Sequence, residues 1–187
     1  STGYPPRAHI LDGREFAAIL TEVFEKVGSG SMIYADEYQK IRPASESDVN
    51  TIYNLSQSST KEQNLVARSI SEISENIDSY FVYEMDGSII AFVSLLDISD
   101  SCAELASLHV QPFYQHHKVG TTMVDFVIKT ARERGYKTLF SLSTKSAPFF
   151  TDVCKFKEVS PKNLPAKRYE KYLKSKRNSK VFEYPLA

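Results

Sequence analysis

The sequence predicts an α/β fold in which helices pack on a mixed β-sheet. Three observations carry the prediction. Asp86-Gly87 lies between an alternating run, Tyr80 to Met85, and an apolar run, Ile89 to Leu96, and Asp-Gly is the turn that joins two antiparallel strands. Leu105 to Val110 alternates with period two, its apolar set being Ala106, Leu108 and Val110, and Pro112 ends it. Met123, Val124, Val127, Ile128 and Ala131 then recur at helical spacing, closed by Gly135. A strand, a helix and a further strand at Lys137 to Ser143, added to a hairpin, call for parallel and antiparallel neighbours in one sheet.

Composition narrows the function classes. The 187 residues are 42% apolar and 25% charged, with a formal net charge of zero. That balance supplies a core and an ordinary surface, and no bulk field that would draw nucleic acid or an anionic membrane. No apolar run reaches the length of a membrane span, and the first residues lack the basic start and apolar centre of a signal peptide. Cys102 and Cys154 form neither a metal pattern nor a disulfide framework. Both are expected as free packing thiols in a reducing compartment, the cytoplasm.

The elements follow in order. Ala8 to Leu11 and Ser31 to Tyr34 read as short strands around a helix whose apolar face is Phe16, Ala17, Ile19, Leu20, Val23 and Phe24. Such a unit cannot cover both its faces alone, so the rest of the chain, a second copy in a homo-oligomer, or another domain must do so. A boundary is placed at 36/37. Lys40 to Ala44 is a strand, Ser45 to Asp48 caps a helix buried through Val49, Ile52 and Leu55, and Ser56 to Lys61 reads as a polar loop. Ser69 with Glu72 forms a capping box for a helix striped by Ile70, Ile73 and Ile77. After Ser143, Phe149 to Val153 is a short helix or turn, and Lys155 to Val159 a strand. Pro161 and Pro165 break the pattern, Ala166 to Lys180 carries seven basic residues and one acid, and Val181 to Tyr184 is a final strand.

The loop entering the central helix, Gln115-His116-His117-Lys118-Val119-Gly120, presents backbone N–H groups without helical partners, an arrangement suited to a phosphate. Gly120 allows close approach, and Lys118 and Gln115 add charge and hydrogen bonds. Adjacent His116 and His117 point apart on an extended chain and have no third ligand in view, so no metal is expected.

This loop resembles the acetyl-CoA loop of the GNAT N-acetyltransferases, Q/R-x-x-G-x-G/A, with Gln115 first and Gly120 last. Lys118 stands where the middle glycine is usual, a substitution that right-handed backbone would tolerate. The resemblance implies a GNAT fold with a mostly antiparallel central sheet, and acetyl-CoA as cosubstrate held by residues 115–121, Thr121 included, and by the backbone of Leu108, His109 and Val110. Four further segments are similar to bacterial N-acetylglutamate synthases: Leu65-Val66-Ala67-Arg68; Ala103-Glu104-Leu105 with Leu108 and Val110; Leu142-Ser143-Thr144; and Leu164-Pro165 with Tyr172 and Lys176 to Lys180. RAHILDGREFAAILTEVFEKVGSGSMIY likewise resembles the end of the amino-acid-kinase domain that precedes the acetyltransferase domain in those enzymes.

The implied reaction carries acetyl to the α-amine of L-glutamate. An ammonium must lose a proton before it attacks a thioester, and a nearby carboxylate can take it. The resemblance puts that base at Glu104, where the plain alternative is a solvated glutamate at a strand edge. It puts an assisting hydroxyl at Ser143, which is otherwise a strand-ending serine. Two substrate carboxylates need two cations, and the resemblance supplies Arg68 and Arg177. Phe149-Phe150 occupies the neighbourhood of the family's frequent tyrosine acid, and Lys155 replaces its usual glycine before Phe156. A GNAT enzyme for another amine, or a non-catalytic acetyl-CoA-binding regulatory module, are the alternative functions.

Overall fold

The structure, a computed structural model, describes residues 7–14, 19, 31–34, 39–61, 68–115, 117–175 and 177–186. Two compact units emerge, one of Ser1–Lys40 with Glu84–Ser88 and one of Ile41–Tyr83 with Ile89–Ala187. In the first, β1 (Arg7–Ile10) pairs antiparallel with β2 (Ser31–Tyr34), Ala8 opposite Ile33. The expected helix between them lies outside the described residues, except that Ile19 is helical and 70% exposed rather than on a buried face.

The larger sheet has seven strands in the order β3-β4-β5-β6-β7-β9-β8. They are β3 (Gln39–Pro43), β4 (Tyr80–Met85), β5 (Ser88–Ser99), β6 (Cys102–Val110), β7 (Thr138–Ser143), β8 (Lys157–Val159) and β9 (Lys180–Pro185). β6 lies in the middle. It runs antiparallel to β5 and parallel to β7, while β9 inserts antiparallel between β7 and β8. Asp86 and Gly87, both at positive φ, make the turn between β4 and β5, as a type I′ hairpin requires. β5 is buried from Ile90 to Leu95 because both its faces are covered.

Helix α1 (Val49–Lys61) follows a short 3-10 turn, Glu46–Asp48. The stretch Ser56 to Lys61, expected as a loop, is helical instead. The buried Ser56 returns its hydroxyl to the Tyr53 carbonyl at 2.7 Å, which satisfies it without breaking the helix. At the other end, the Asp48 carboxylate accepts from the Ser45 backbone at 2.8 Å and from Arg42 at 2.7 Å. Helix α2 (Ile70–Glu75) carries the capping box expected at Ser69 and Glu72. Ile73 and Ile77 are buried beside Val49, Ile52 and Tyr80, but Ile70 is 45% exposed.

Helix α3 (Val119–Glu133) packs on β6 through Met123, Val124, Val127, Ile128 and Ala131, all buried as the spacing predicts. Gly135, at φ +83°, ends it. The basic run contains helix α4 (Ala166–Ser175), anchored on the sheet by Tyr169 and Tyr172 against Phe140, Leu164 and Val181. No described helix is long and apolar enough to cross a membrane.

Candidate active site

The site begins with an irregularity in β6. Phe92 pairs with His109 and Ser94 with Ala106, so β6 spends one more residue than β5 over that step. Ser107 takes it up at φ +54°, a bulge that bends the strand. The parallel ladder with β7 spans only Cys102–Leu105 against Thr138–Ser141. Ser107 and Leu108 are therefore paired in neither register, and β6 and β7 part company at the bulge. The bulge also corrects the expected burial phase. Ala103, Glu104, Leu105 and His109 are buried, whereas Ala106, Leu108 and Val110 are half-buried. His109 stacks on Phe92 with ring centroids 5.2 Å apart. Burial pushes its pKa down to about 4, so the imidazole is neutral near pH 7.

Beside the bulge lies a cavity of about 480 Å³. Glu104 reaches it from β6, Arg68 from the segment ahead of α2, Lys167, Arg168 and Lys171 from α4, and Arg177 from the turn before β9. The Tyr172 hydroxyl donates to the Ser179 carbonyl at 2.9 Å, which ties that turn back to α4. Arg68 donates to the Tyr80 hydroxyl at 2.8 Å. Glu104 is 5% exposed. Both its oxygens are engaged by Arg168, Nε to Oε2 at 2.5 Å and Nη2 to Oε1 at 2.9 Å. That bidentate pair raises the Arg168 pKa and keeps the guanidinium charged. The cavity's other acid, Asp97, accepts a short bond from Tyr136.

Thus Glu104, Arg68 and Arg177 converge on one cavity, as the resemblance implied. Glu104 is buried and ion-paired, so the solvated strand-edge alternative does not hold. Ser143 stands next to the cavity-lining Leu142, and its Oγ accepts from the Ser146 backbone at 3.0 Å. Arg168 was not singled out by sequence. The only sign available was its place in a basic run, and α4 decides which cation of that run faces Glu104.

The loop before α3 holds the residues expected to bind the cofactor. Gln115 is exposed and its Nε2 donates to the Val110 carbonyl at 3.3 Å. His117 is exposed and stacks on Phe113, His116 lies outside the described residues, and Leu65 to Ala67 and Lys176 do too. Val119 is buried and Thr121 half-buried. Lys118 corrects the expectation of right-handed backbone: it caps α3 at φ +60°, ψ +4°, in the left-handed region. The chain reverses into the helix there, and a lysine occupies the conformation a glycine would favour. Lys155, at φ +62°, repeats the pattern. A β-carbon on Gly120 would meet the Phe149 ring at 3.4 Å and Val110 Cγ2 at 3.7 Å, ordinary contact distances. The expected turn at Phe149 is a π-helical one, Phe149–Val153.

The first turn of α3 thus offers amide N–H groups beyond the reach of intrahelical bonding, and the unpaired bulge offers peptide groups to a chain lying between β6 and β7. Residues 47–156 match the acetyltransferase (GNAT) family. The chain belongs to that family. It is 36% identical to the amino-acid acetyltransferase of Pseudomonas fluorescens over 181 residues, 96% of this chain and 41% of the relative. To the Azotobacter vinelandii protein of that name it is also 36% identical, over 97% of this chain and 42% of the other. The chain therefore spans about two fifths of the length of these curated relatives. Its fold resembles a solved N-acetylglutamate synthase of Neisseria gonorrhoeae, in complex with coenzyme A and N-acetyl-glutamate, with TM-score 0.77 and 28% identity over 97% of this chain and 43% of that one. A Mycobacterium tuberculosis protein solved with CoA and NLQ has TM-score 0.68 at 19% identity, over 79% of this chain and 99% of that one, a likeness of fold.

Proposed function

We propose that this GNAT chain is the acetyl-transfer unit of an N-acetylglutamate synthase. It moves acetyl from acetyl-CoA to the α-amine of L-glutamate, the opening step of arginine biosynthesis, in the cytoplasm. The observation that carries the reading is one cavity in which a buried carboxylate faces several cations. Its two acids, Glu104 and Asp97, are engaged by Arg168 and Tyr136. A dicarboxylate amine fits that charge pattern, with its two anionic ends toward cations and its ammonium toward Glu104. The relatives named above support the same substrate.

Acetyl-CoA supplies an electrophilic thioester carbonyl and a thiolate leaving group. The residues around it divide the remaining work. The α3 N-terminus and Lys118 receive phosphate charge. The unpaired backbone at Ser107 and Leu108 hydrogen-bonds the acyl end and meets the negative charge that grows on the acyl oxygen. Arg68 and Arg177 hold the acceptor, and Glu104 accepts its ammonium proton. Ser143 lies one residue beyond Leu142, where the thiolate would emerge. The same reading assigns residues 1–36 to the end of an amino-acid-kinase-like domain.

The test is thiol release from acetyl-CoA with L-glutamate against a panel of amino acids and a blank without acceptor. Glutamate-dependent release is expected. Release with another amine alone would leave the fold and the cosubstrate and remove the substrate. No release with acetyl-CoA still bound would favour the non-catalytic acetyl-CoA-binding regulatory module.

A further inference from the structure

Resting on the proposed glutamate acetylation, a second assignment follows from the pair between Glu104 and Arg168. A general base must offer a lone pair to the proton it takes. Here a single guanidinium fork engages both carboxylate oxygens, at 2.5 and 2.9 Å. Glu104 also has only 7% of its side chain exposed, and Arg168 only 21%, so water cannot readily take either place. The base is therefore latched by Arg168. The fork occupies one lone-pair site on each oxygen, and an acceptor ammonium that comes to Glu104 from the cavity competes with it for the carboxylate.

The charge balance shows what can displace it. An α-amino acid carries its carboxylate on the carbon that bears the ammonium. If the ammonium approaches Glu104, the α-carboxylate arrives beside the guanidinium that Glu104 is holding. The proton then passes from R–NH3⁺ to the Glu104 carboxylate, giving R–NH2 and a neutral carboxylic acid. Arg168 loses its anion at that moment, and the α-carboxylate supplies another. No charge of this largely buried pair is left without a partner at any stage, which keeps the cost of the exchange low. Arg68, Lys171 and Arg177, arranged around the same cavity, remain for the side-chain carboxylate.

We propose that Arg168 is a latch on the general base and the reader of the acceptor's α-carboxylate. It pairs with Glu104 and exchanges it for the substrate's α-carboxylate when the amine is deprotonated. Arg168 thereby restricts transfer to α-amino acids, and Arg68 and Arg177 select the acidic side chain among them.

Two amides of glutamate separate these roles. Isoglutamine lacks the α-carboxylate and glutamine lacks the side-chain one. In Arg168→Met the KM for glutamate should rise at least tenfold. Its preference for glutamate over isoglutamine should fall at least tenfold, while its preference over glutamine stays within twofold of wild type. Arg168→Lys, which keeps the charge but not the fork, should retain most of the preference over isoglutamine with a KM raised several-fold. The KM for acetyl-CoA should not change in either variant, which controls for folding. Wild type inactive on glutamate would overturn the proposed function itself. Wild type active on glutamate, with Arg168→Met changing kcat alone and leaving both preferences intact, would overturn only the latch and make Arg168 a prop for Glu104. Loss of the preference over glutamine in place of isoglutamine would overturn the α-carboxylate assignment.

Discussion

Replacing Lys118 by glycine should stabilise the protein and tighten acetyl-CoA binding relative to replacing it by alanine. Lys118 sits at φ +60°, where an L-residue's β-carbon crowds the following carbonyl at a cost of about 1–2 kcal/mol. Glycine removes that cost but brings more freedom to the unfolded chain, a penalty of roughly 0.4–1 kcal/mol. The net gain is about 0.5–1 kcal/mol, or about 2–3 °C in Tm for a chain of this size. Alanine keeps the β-carbon, so Lys118→Ala keeps the strain while losing the same charge as Lys118→Gly. The difference between the two variants therefore isolates the backbone. Thermal unfolding measures the stability difference, and titration with acetyl-CoA shows whether a relaxed loop holds phosphate better. Equal Tm values for the glycine and alanine variants would refute the strain argument. Lys155→Gly, at φ +62° and far in sequence from the loop, should give the stability gain without the affinity gain.

Three other outcomes follow. Glu104→Gln should lower kcat about 10²- to 10⁴-fold, the usual contribution of general base catalysis, with circular dichroism unchanged; glutamate turnover within threefold of wild type would remove Glu104 from the chemistry. Gly120→Ala should fold normally and gain up to about 1 kcal/mol from helix propensity, because its β-carbon would make only ordinary contacts, yet it should weaken acetyl-CoA binding by narrowing the approach to the backbone. Arg42 holds the Asp48 carboxyl down at about 2, from an ordinary 3.8, so this group contributes about 2 kcal/mol of stability. The folded pKa is the lower one, so the contribution is complete above pH 3.8 and disappears as pH falls toward 2. Urea midpoints measured between pH 2 and 5 should show a step that Asp48→Asn lacks.

Much of the fold was legible because its signals are local. Asp86-Gly87 needs only its own two residues to make a hairpin, Ser69 and Glu72 only their spacing to cap a helix, and the stripe from Met123 to Ala131 only its period. What escaped depends on partners distant in sequence. The Ser107 bulge leaves no mark in an alternating run, because one extra residue shows only against the register of β5. Helix α4 hid in its charge: its anchoring residues are tyrosines, which hydropathy ranks low, and the surrounding lysines read as a solvated tail. For the same reason Glu104, Arg68 and Arg177 were found through motif resemblance, while Arg168 was not. The rotation of α4 on the sheet, fixed by Tyr169 and Tyr172 against Phe140 and Val181, is what aims one cation of seven at the base.

The site's departures from its family share a logic. Transfer from a thioester to an amine has two proton problems, and they differ in difficulty. The incoming ammonium keeps its proton at neutral pH and cannot attack until it is removed. The outgoing thiolate has a conjugate acid near 8.5 and can leave without help. A protein that gives up one acid–base group should give up the one at the sulfur, and Phe149-Phe150 occupies the neighbourhood in which the resemblance leads one to expect a tyrosine acid. The Phe149 ring instead packs close over the first turn of α3, within 3.4 Å of a β-carbon on Gly120, and so shapes the apolar wall beside the helix terminus. Ser143, whose Oγ accepts from the Ser146 amide, still has its own hydroxyl proton to give. On the proposed reading the demanding step falls to Glu104, the buried carboxylate of the cavity, which the fork of Arg168 holds in place until an amine arrives.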